Sequence, residues 1–272
     1  MRAELLPPTI TSAQAGAVLR LSLNRPNAAN AMSDDMVVGL TNALQAAAAD
    51  SNLRVIVLSG NGRSFCAGGD LNGFLARVDA GASASDIAAM NRQYGTLMQQ
   101  LSEQPQVTIT CVHGAVYGGG VGLACASDIT IAADDARFRL SETSLGIVPA
   151  QIAPFVADRI GPSEARRLML TGTVIDASDG YRLGLVHERV ADAKELTASC
   201  DRVIDNVLTC APNANAATKS LLRQSQALAR DELLDVAAAK FAACLASDEG
   251  REGVLAFTEK RAPSWRGVKR ST

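Results

Sequence analysis

Apolar and polar residues alternate through residues 17–24 (AVLRLSLN), a period of two that predicts a half-buried β-strand. Residues 54–59 (RVIVLS) and 107–112 (VTITCV) are almost continuously apolar and β-branched, which is typical of strands buried on both faces. Residues 128–133 (DITIAA) follow the same pattern. The sequence therefore predicts four strands, the first of which ends before Pro26.

A helical pattern follows several of these strands. Ser33 is placed to cap an amphipathic helix that extends to about Ala49. Strands that alternate with helices indicate a parallel sheet with right-handed crossovers, and therefore an α/β fold. The last third of the chain is predicted to be helical, at residues 162–170, 191–208, 214–228 and 232–245.

The change of pattern divides the chain. We predict a core with the active site at residues 1–195 and a helical, oligomer-forming region at residues 196–272. Within the core, residues 75–90 are rich in Ala, Gly, Ser and Asp. This composition predicts a mobile surface loop or a loose helix over the functional site.

Three consecutive glycines, Gly118 to Gly120, lie between the strand at residues 107–112 and a predicted helix at residues 121–126. The first amides of a helix lack internal partners, so they stabilise an oxygen atom that gains negative charge. This would supply half of an oxyanion hole; a tight turn with close packing is the alternative. A P-loop would need Lys and then Ser or Thr, and a dinucleotide fingerprint would need glycine where Leu123 stands.

Composition excludes several other functions. The 272 residues are 47% hydrophobic, enough for a sizeable core, and a net charge of -2 without a basic block argues against nucleic acid as a partner. No apolar run is long enough to span a membrane. The six cysteines have no CxxC spacing and follow no signal peptide, so we expect reduced thiols in a cytoplasmic protein. His113 and His187 lie outside any HExxH motif, so both are interpreted as structural and no metal is expected.

A second loop of small residues, FCAGGDL at residues 65–71, follows the strand at residues 54–59, and Glu142 lies in SETSLG after the strand at residues 128–133. Together with LNRPNAANAMS, HGAVYGGG and AFTEKR, these motifs resemble the enoyl-CoA hydratase/isomerase (crotonase) family over nearly the whole chain. The resemblance implies a crotonase-like (ββα)-type spiral core with a C-terminal helical layer. It also implies an acyl-CoA substrate and a homotrimer or homohexamer. No separate cofactor is implied, because coenzyme A is part of the substrate thioester.

The same resemblance implies roles for individual residues. Ala67 and Gly119 match the two residues whose backbone amides hold the thioester oxygen, and Glu142 matches an acid–base glutamate. Contacts with coenzyme A are implied at Asn27, Ala29, Ala67, Gly68, Gly69, Asp70, Phe257 and Lys260, the last two often in the site of a neighbouring subunit. A helix cap at Asp70 and a solvated surface charge at Lys260 are the alternatives.

One position departs from the family pattern. Hydratases of this family usually carry a second glutamate three residues after the amide-donating glycine, and Gly122 stands there. A single glutamate is also typical of Δ3,Δ2-enoyl-CoA isomerases, so isomerisation is the alternative activity. An acyl-CoA-binding protein without catalysis is a second alternative.

Two longer segments favour a hydratase. SETSLGIVPAQIAPFVADRIG at residues 141–161 and CAPNANAATKSLL at residues 210–222 resemble hydratases of branched glutaconyl-CoA thioesters, namely isohexenylglutaconyl-CoA and 3-methylglutaconyl-CoA. Such substrates carry a distal carboxylate, for which Gln151 is one candidate donor, with a surface amide or helix cap as the alternative. The sequence therefore favours a hydratase that works with the single glutamate Glu142.

Overall fold

The computed structural model describes residues 6–267, and most of its strands form one sheet. These strands are β1 (Ile10–Ala15), β2 (Val18–Leu23), β3 (Val55–Gly60), β4 (Val107–Val112), β6 (Ile129–Ala133) and β9 (Glu188–Val190). Their order is β1-β2-β3-β4-β6-β9, and all neighbours are parallel except β1 and β2. The four predicted strands and the parallel sheet are confirmed. The sequence pattern does not predict β1, because only Ile10 is fully buried along it.

A second sheet of three short strands carries the functional loops. It consists of β5 (Ala115–Tyr117), β7 (Arg137–Arg139) and β8 (Ile175–Asp176), with β5 parallel to β7 and β8 antiparallel to it. The amide of Gly118 extends the pairing of β5 with β7, donating to the carbonyl of Arg139 at 2.8 Å. The glycine run therefore follows β5, whereas the sequence predicts that it follows β4 directly.

Helices cover both faces of the main sheet. One face packs against α1 (Asp34–Ala48), α4 (Gly119–Ala126) and α5 (Ala153–Thr171), and the other packs against α7 (Ala193–Thr209). Side chains of β2 alternate between the two faces of the sheet: Leu19 and Leu21 pack in the apolar core on the first face, and Val18 packs in the core on the other. A short helix, α6 (Ala177–Arg182), lies between β8 and β9.

Residues 75–79 and 84–90 are helical, so of the two predicted alternatives the helix is confirmed over most of this segment, and only residues 80–83 form a loop. The helical residues lie in α2 (Leu71–Asp79) and in the first part of α3 (Ala84–Glu103). Ser83 and Asp86 form a capping box that starts α3. The buried residues of α3 all follow residue 90, and they are Gly95, Leu97, Met98 and Leu101. The part of α3 before residue 90 therefore has no apolar period in the sequence.

The C-terminal helices are α8 (Pro212–Gln224), α9 (Arg230–Ala246) and α10 (Asp248–Thr258), of which the sequence does not predict α10. The ammonium of Lys219 in α8 pairs with Asp128, the residue before β6, at 2.6 Å. This ion pair connects α8 to the main sheet. The division of the chain between residues 195 and 196 stays a prediction. Within residues 6–267, no helix combines the length and the hydropathy that a membrane crossing requires.

Candidate active site

The backbone of Gly118 has a conformation in which a residue with a side chain would be strained. Its φ of 47° and ψ of -113° are accessible to glycine alone among the common residues. A Cβ built there would also lie 2.7 Å from Oε1 of Glu142. The chain turns at this point into α4, which begins at Gly119, so the amide of Gly119 has no partner within the helix. This amide is therefore free to donate to a bound oxygen atom.

The FCAGGDL loop lies against this glycine run. The amide of Tyr117 donates to the carbonyl of Cys66 at 2.8 Å. A Cβ on Gly68, whose φ is 100°, would lie 3.4 Å from the carbonyl oxygen of Tyr117, and a Cβ on Gly120 would lie 2.9 Å from Cβ of Cys66. Glycines in both segments therefore bring the two backbones into direct contact.

The amide of Ala67 is not free, so the prediction that it supplies the second oxyanion donor is wrong. It donates to the carbonyl of Ala29 at 2.9 Å. The amide of Gly69 is available instead. Met32 donates to the carbonyl of Gly68 and accepts from the amide of Asp70, the two residues that flank Gly69. The amide of Gly69 therefore points to the opposite side of the extended segment. No residue in the described part of the chain accepts a hydrogen bond from it.

Glu142 is the acidic group of the site. It begins a short 3-10 helix, Glu142–Leu145, that follows β7. Its Oε2 atom is buried and has no hydrogen-bond partner within residues 6–267. Burial raises the pKa of this carboxyl above its usual range. A buried acid without a partner is unfavourable in a fold, which favours a role in proton transfer.

A cavity of about 140 Å³ opens beside these groups and includes Gly69, Gly119 and Glu142 in its lining. Its apolar lining includes Leu71, Phe74, Met90, Leu145, Ile147 and Val148.

Polar side chains of α3 and of the segment before α5 also line the cavity. The hydroxyl of Tyr94 donates to the carbonyl of Gly119 at 2.6 Å, and Nε2 of Gln151 donates to Oδ1 of Asn91 at 2.9 Å. The sequence analysis does not identify Tyr94 or Asn91. The capping box shows that a helix starts before these two residues, which are three positions apart. This spacing would place both side chains on one helix face.

Apolar side chains fill the position of the expected second acid. A Cβ on Gly122 would lie 2.4 Å from Cγ2 of Ile152 and 3.1 Å from Cε of Met98. The other acid of the described lining, Asp34, forms an ion pair with Arg77. Glu142 is therefore the acid that remains available for chemistry.

Comparison with known proteins identifies the family of this chain. The model of the family Enoyl-CoA hydratase/isomerase matches residues 13–269. The chain belongs to this family. It is 34% identical over 251 residues to 2,3-dehydroadipyl-CoA hydratase of Escherichia coli K12, covering 92% of this chain and 95% of that relative.

Solved structures of the crotonase family are similar over almost their full length. Pseudomonas aeruginosa AtuE is 47% identical with a TM-score of 0.92, and an enoyl-CoA hydratase/isomerase from Marinobacter aquaeolei is 42% identical with a TM-score of 0.91. Each alignment covers 95% of this chain and 99% of the other. The predicted crotonase-like α/β fold and the prediction of an enzyme in this family are confirmed.

Among the residues that the crotonase resemblance assigns to coenzyme A, one group surrounds the FCAGGDL loop. Ala29 bonds to this loop, and Asp70 pairs with Arg25 at 2.9 Å, close in the chain to Asn27. Asp70 also accepts from the amide of Gly73 at 3.3 Å at the start of α2, so its interpretation as a helix cap is confirmed. Contact of these residues with coenzyme A stays a prediction.

In the second group, Phe257 lies at the C-terminal end of α10 and Lys260 follows that helix, and neither lines the cavity. The Phe257 side chain is 85% exposed, and Lys260 is exposed with a φ of 56°. A role for them in the site of a neighbouring subunit stays a prediction.

The histidines and cysteines of this chain do not line the cavity. His113 donates through Nε2 to the carbonyl of Gly62 at 2.9 Å, and Nδ1 of His187 accepts from the amide of Thr130 at 3.0 Å. Both histidines are therefore structural. All six cysteines are free thiols. In the part of the chain that the structure describes, no group of three His, Cys, Asp or Glu side chains could hold a metal ion.

Proposed function

We propose that the protein is an enoyl-CoA hydratase, which adds water across the α,β double bond of an acyl-CoA thioester. The observation that carries this proposal is the buried, unpartnered carboxyl oxygen of Glu142 beside the free amides of Gly69 and Gly119. Addition of water passes through an enolate, in which negative charge accumulates on the thioester oxygen. A preorganised amide that binds this oxygen lowers the barrier by about 3 kcal/mol.

Glu142 acts first as a base and then as an acid in this proposal. Its carboxylate removes a proton from water while the water oxygen bonds to the β-carbon and the π electrons move to the thioester oxygen. It then returns the proton to the α-carbon as the enolate collapses. Binding of the remote coenzyme A groups contributes to the position of the reacting carbons.

Within this activity we propose a branched glutaconyl-CoA thioester, isohexenylglutaconyl-CoA or 3-methylglutaconyl-CoA, as the substrate. Asn91 and Gln151 offer uncharged donors to its distal carboxylate. Gln151 uses its amide nitrogen to bind Oδ1 of Asn91, which leaves the amide nitrogen of Asn91 to donate to the substrate. Gly95 makes room for this pair, since a Cβ there would lie 2.0 Å from Oε1 of Gln151. The apolar lining of the cavity suits the hydrocarbon branch.

Asn91→Asp is expected to lower kcat/KM for glutaconyl thioesters by about tenfold or more, equivalent to about 1.4 kcal/mol. The new side chain keeps its shape but repels the substrate carboxylate. Hydration of crotonyl-CoA, which has no such carboxylate, should change by less than about threefold. The measurement is the initial rate on isohexenylglutaconyl-CoA, 3-methylglutaconyl-CoA, crotonyl-CoA and a 3-enoyl-CoA.

Asn206→Asp, at an exposed position of α7, is the matched control and should affect no substrate. Equal losses on glutaconyl and crotonyl thioesters in Asn91→Asp would contradict the carboxylate contact. Wild-type protein that hydrates crotonyl-CoA as fast as both glutaconyl thioesters would contradict the proposed substrate class.

Δ3,Δ2-enoyl-CoA isomerisation is the second candidate activity, and the apolar surroundings of Gly122 favour it. A single carboxylate is sufficient to move a proton between the α and γ carbons, whereas water addition also needs a group that positions water. Selective turnover of the 3-enoyl-CoA in the same panel would replace the hydratase proposal by this one.

The hydration rate is expected to fall in acid at a pH above the ordinary glutamate value of 4.5. Burial raises the pKa of Glu142, so the carboxylate that accepts a proton forms only above that raised value. The measurement is kcat/KM against pH, with circular dichroism at each pH to show that the protein is folded. An acid limb centred at or below 4.5 would assign the rate to another group.

We also propose that the protein is a cytoplasmic homotrimer or homohexamer. Exposed apolar side chains on the C-terminal helices support an assembly, and they include Leu222, Leu234, Phe241, Leu245 and Phe257. Sedimentation of the purified protein tests this, and a monomer would contradict it.

A further inference from the structure

Water addition needs a second group that positions the water, and Gly122 supplies none. We propose that the hydroxyl oxygen of Tyr94 accepts a hydrogen bond from the water that Glu142 deprotonates. This inference rests on the proposed hydratase function. A residue of α3, Tyr94, would then position the water in place of the second glutamate that is absent from α4.

Tyr94 and Glu142 approach adjacent residues of the glycine run. A Cβ on Gly118 would lie 2.7 Å from Oε1 of Glu142, and a Cβ on Gly119 would lie 3.0 Å from the hydroxyl of Tyr94. Both side chains line the same cavity. Burial raises the pKa of Tyr94 well above its usual range, and the charge of Glu142 adds to this effect, as expected of neighbouring groups.

The hydrogen-bond partner of Tyr94 fixes the direction of its proton. A carbonyl oxygen only accepts, so in the 2.6 Å contact with Gly119 the phenol must donate. The lone pairs of the phenol oxygen remain available, and a hydroxyl that donates becomes a stronger acceptor. Because its pKa is raised, the phenol stays neutral and does not act as the base. Its role is therefore to accept a hydrogen bond from water and keep it oriented.

A water molecule between these two side chains finds one acceptor for each hydrogen. The first hydrogen bonds to the carboxylate of Glu142, whose Oε2 atom no residue in the described chain satisfies, and the second bonds to Tyr94. The lone pair of the water then remains for the β-carbon. During addition the first hydrogen passes to Glu142, the oxygen bonds to the β-carbon and the π electrons move to the thioester. The second hydrogen stays on the new hydroxyl group, so Tyr94 neither gains nor loses a proton.

Tyr94→Phe removes the hydroxyl and keeps the ring. In the full-length protein we expect kcat for hydration to fall by roughly 10- to 100-fold, with KM changed by less than about threefold. A second reaction serves as the reference: exchange of the α-hydrogen of a saturated acyl-CoA with deuterium from D2O, followed by mass spectrometry. This exchange uses Glu142 and the amide donors but adds no water, so it should change by less than about threefold.

A loss of both rates together in Tyr94→Phe would indicate a merely structural role, and unchanged hydration would also overturn the inference. Tyr181→Phe, at an exposed position of α6, is the matched control and should preserve both rates. If Tyr94→Phe does not fold, Tyr94→Met is the second variant, and the same split between the two rates is expected. Wild-type protein that exchanges the α-hydrogen but hydrates no 2-enoyl thioester would overturn the proposed function. Wild-type hydration with an unselective Tyr94→Phe effect would overturn only the role of Tyr94.

Discussion

Glu142→Gln is expected to lower the hydration rate by roughly three orders of magnitude. Glutamine has the shape of glutamate but cannot take a proton from water or return it to the α-carbon. Because Oε2 of Glu142 forms no hydrogen bond or ion pair within residues 6–267, the substitution breaks no such contact of this atom. The free energy of unfolding should therefore change by less than about 1 kcal/mol. The measurements are kcat for the preferred thioester and urea denaturation of the same preparation.

Glu103→Gln, at the exposed end of α3, is the matched control and should keep full activity. Near wild-type turnover by Glu142→Gln would remove this residue from the mechanism. A wild-type protein that binds acyl-CoA thioesters but turns none over would instead support the alternative of a binding protein without catalysis.

Gly122→Glu, which introduces the acid usual in related hydratases, is expected to lower the free energy of unfolding by about 3 kcal/mol or more. A Cβ alone would lie 2.4 Å from Ile152 and 3.1 Å from Met98, and both side chains are buried. The added carboxylate would then be surrounded by apolar groups. The variant should therefore be less stable to urea, and its hydration rate should not rise.

Two further variants separate size from charge at this position. Gly122→Ala adds only the Cβ; because alanine favours a helix by about 1 kcal/mol, a net loss of stability would show that the contact with Ile152 dominates. Gly122→Glu combined with Ile152→Ala relieves the contact and should recover part of the loss. A stable Gly122→Glu protein with faster hydration would show that the cavity accepts a second acid.

Four of the six strands of the main sheet could be predicted because the pattern that defines them is local. β3 and β4 are apolar over most of their length, and α7 has a strong period, so each is visible in a single window. β5 and β7 are only three residues long and are defined by pairing with each other across a distance in sequence. No local window contains that information, so the sequence does not predict the strand that positions the glycine run.

Part of the candidate active site could also be predicted from the sequence. Motifs locate Gly119 and Glu142, because the residue type and its neighbours are sufficient. The choice between Ala67 and Gly69 depends on which amide points into the cavity, and that direction is set by backbone pairing with Ala29 and Met32. Such backbone pairing cannot be deduced from the residue types alone.

The link between β5 and β7 separates the chemistry of this enzyme from its choice of substrate. β5 leads to the free amide of Gly119, β7 leads to Glu142, and the bond from Gly118 to Arg139 joins the two strand ends. The cavity is also lined by other elements, among them α2, α3 and residues 147–152. Mutations of lining residues other than Tyr94 in those elements can therefore change the accepted acyl group while the distance between the Gly119 amide and the Glu142 carboxylate stays constant. In evolutionary terms, a lineage can explore new thioesters at those positions without losing the reaction.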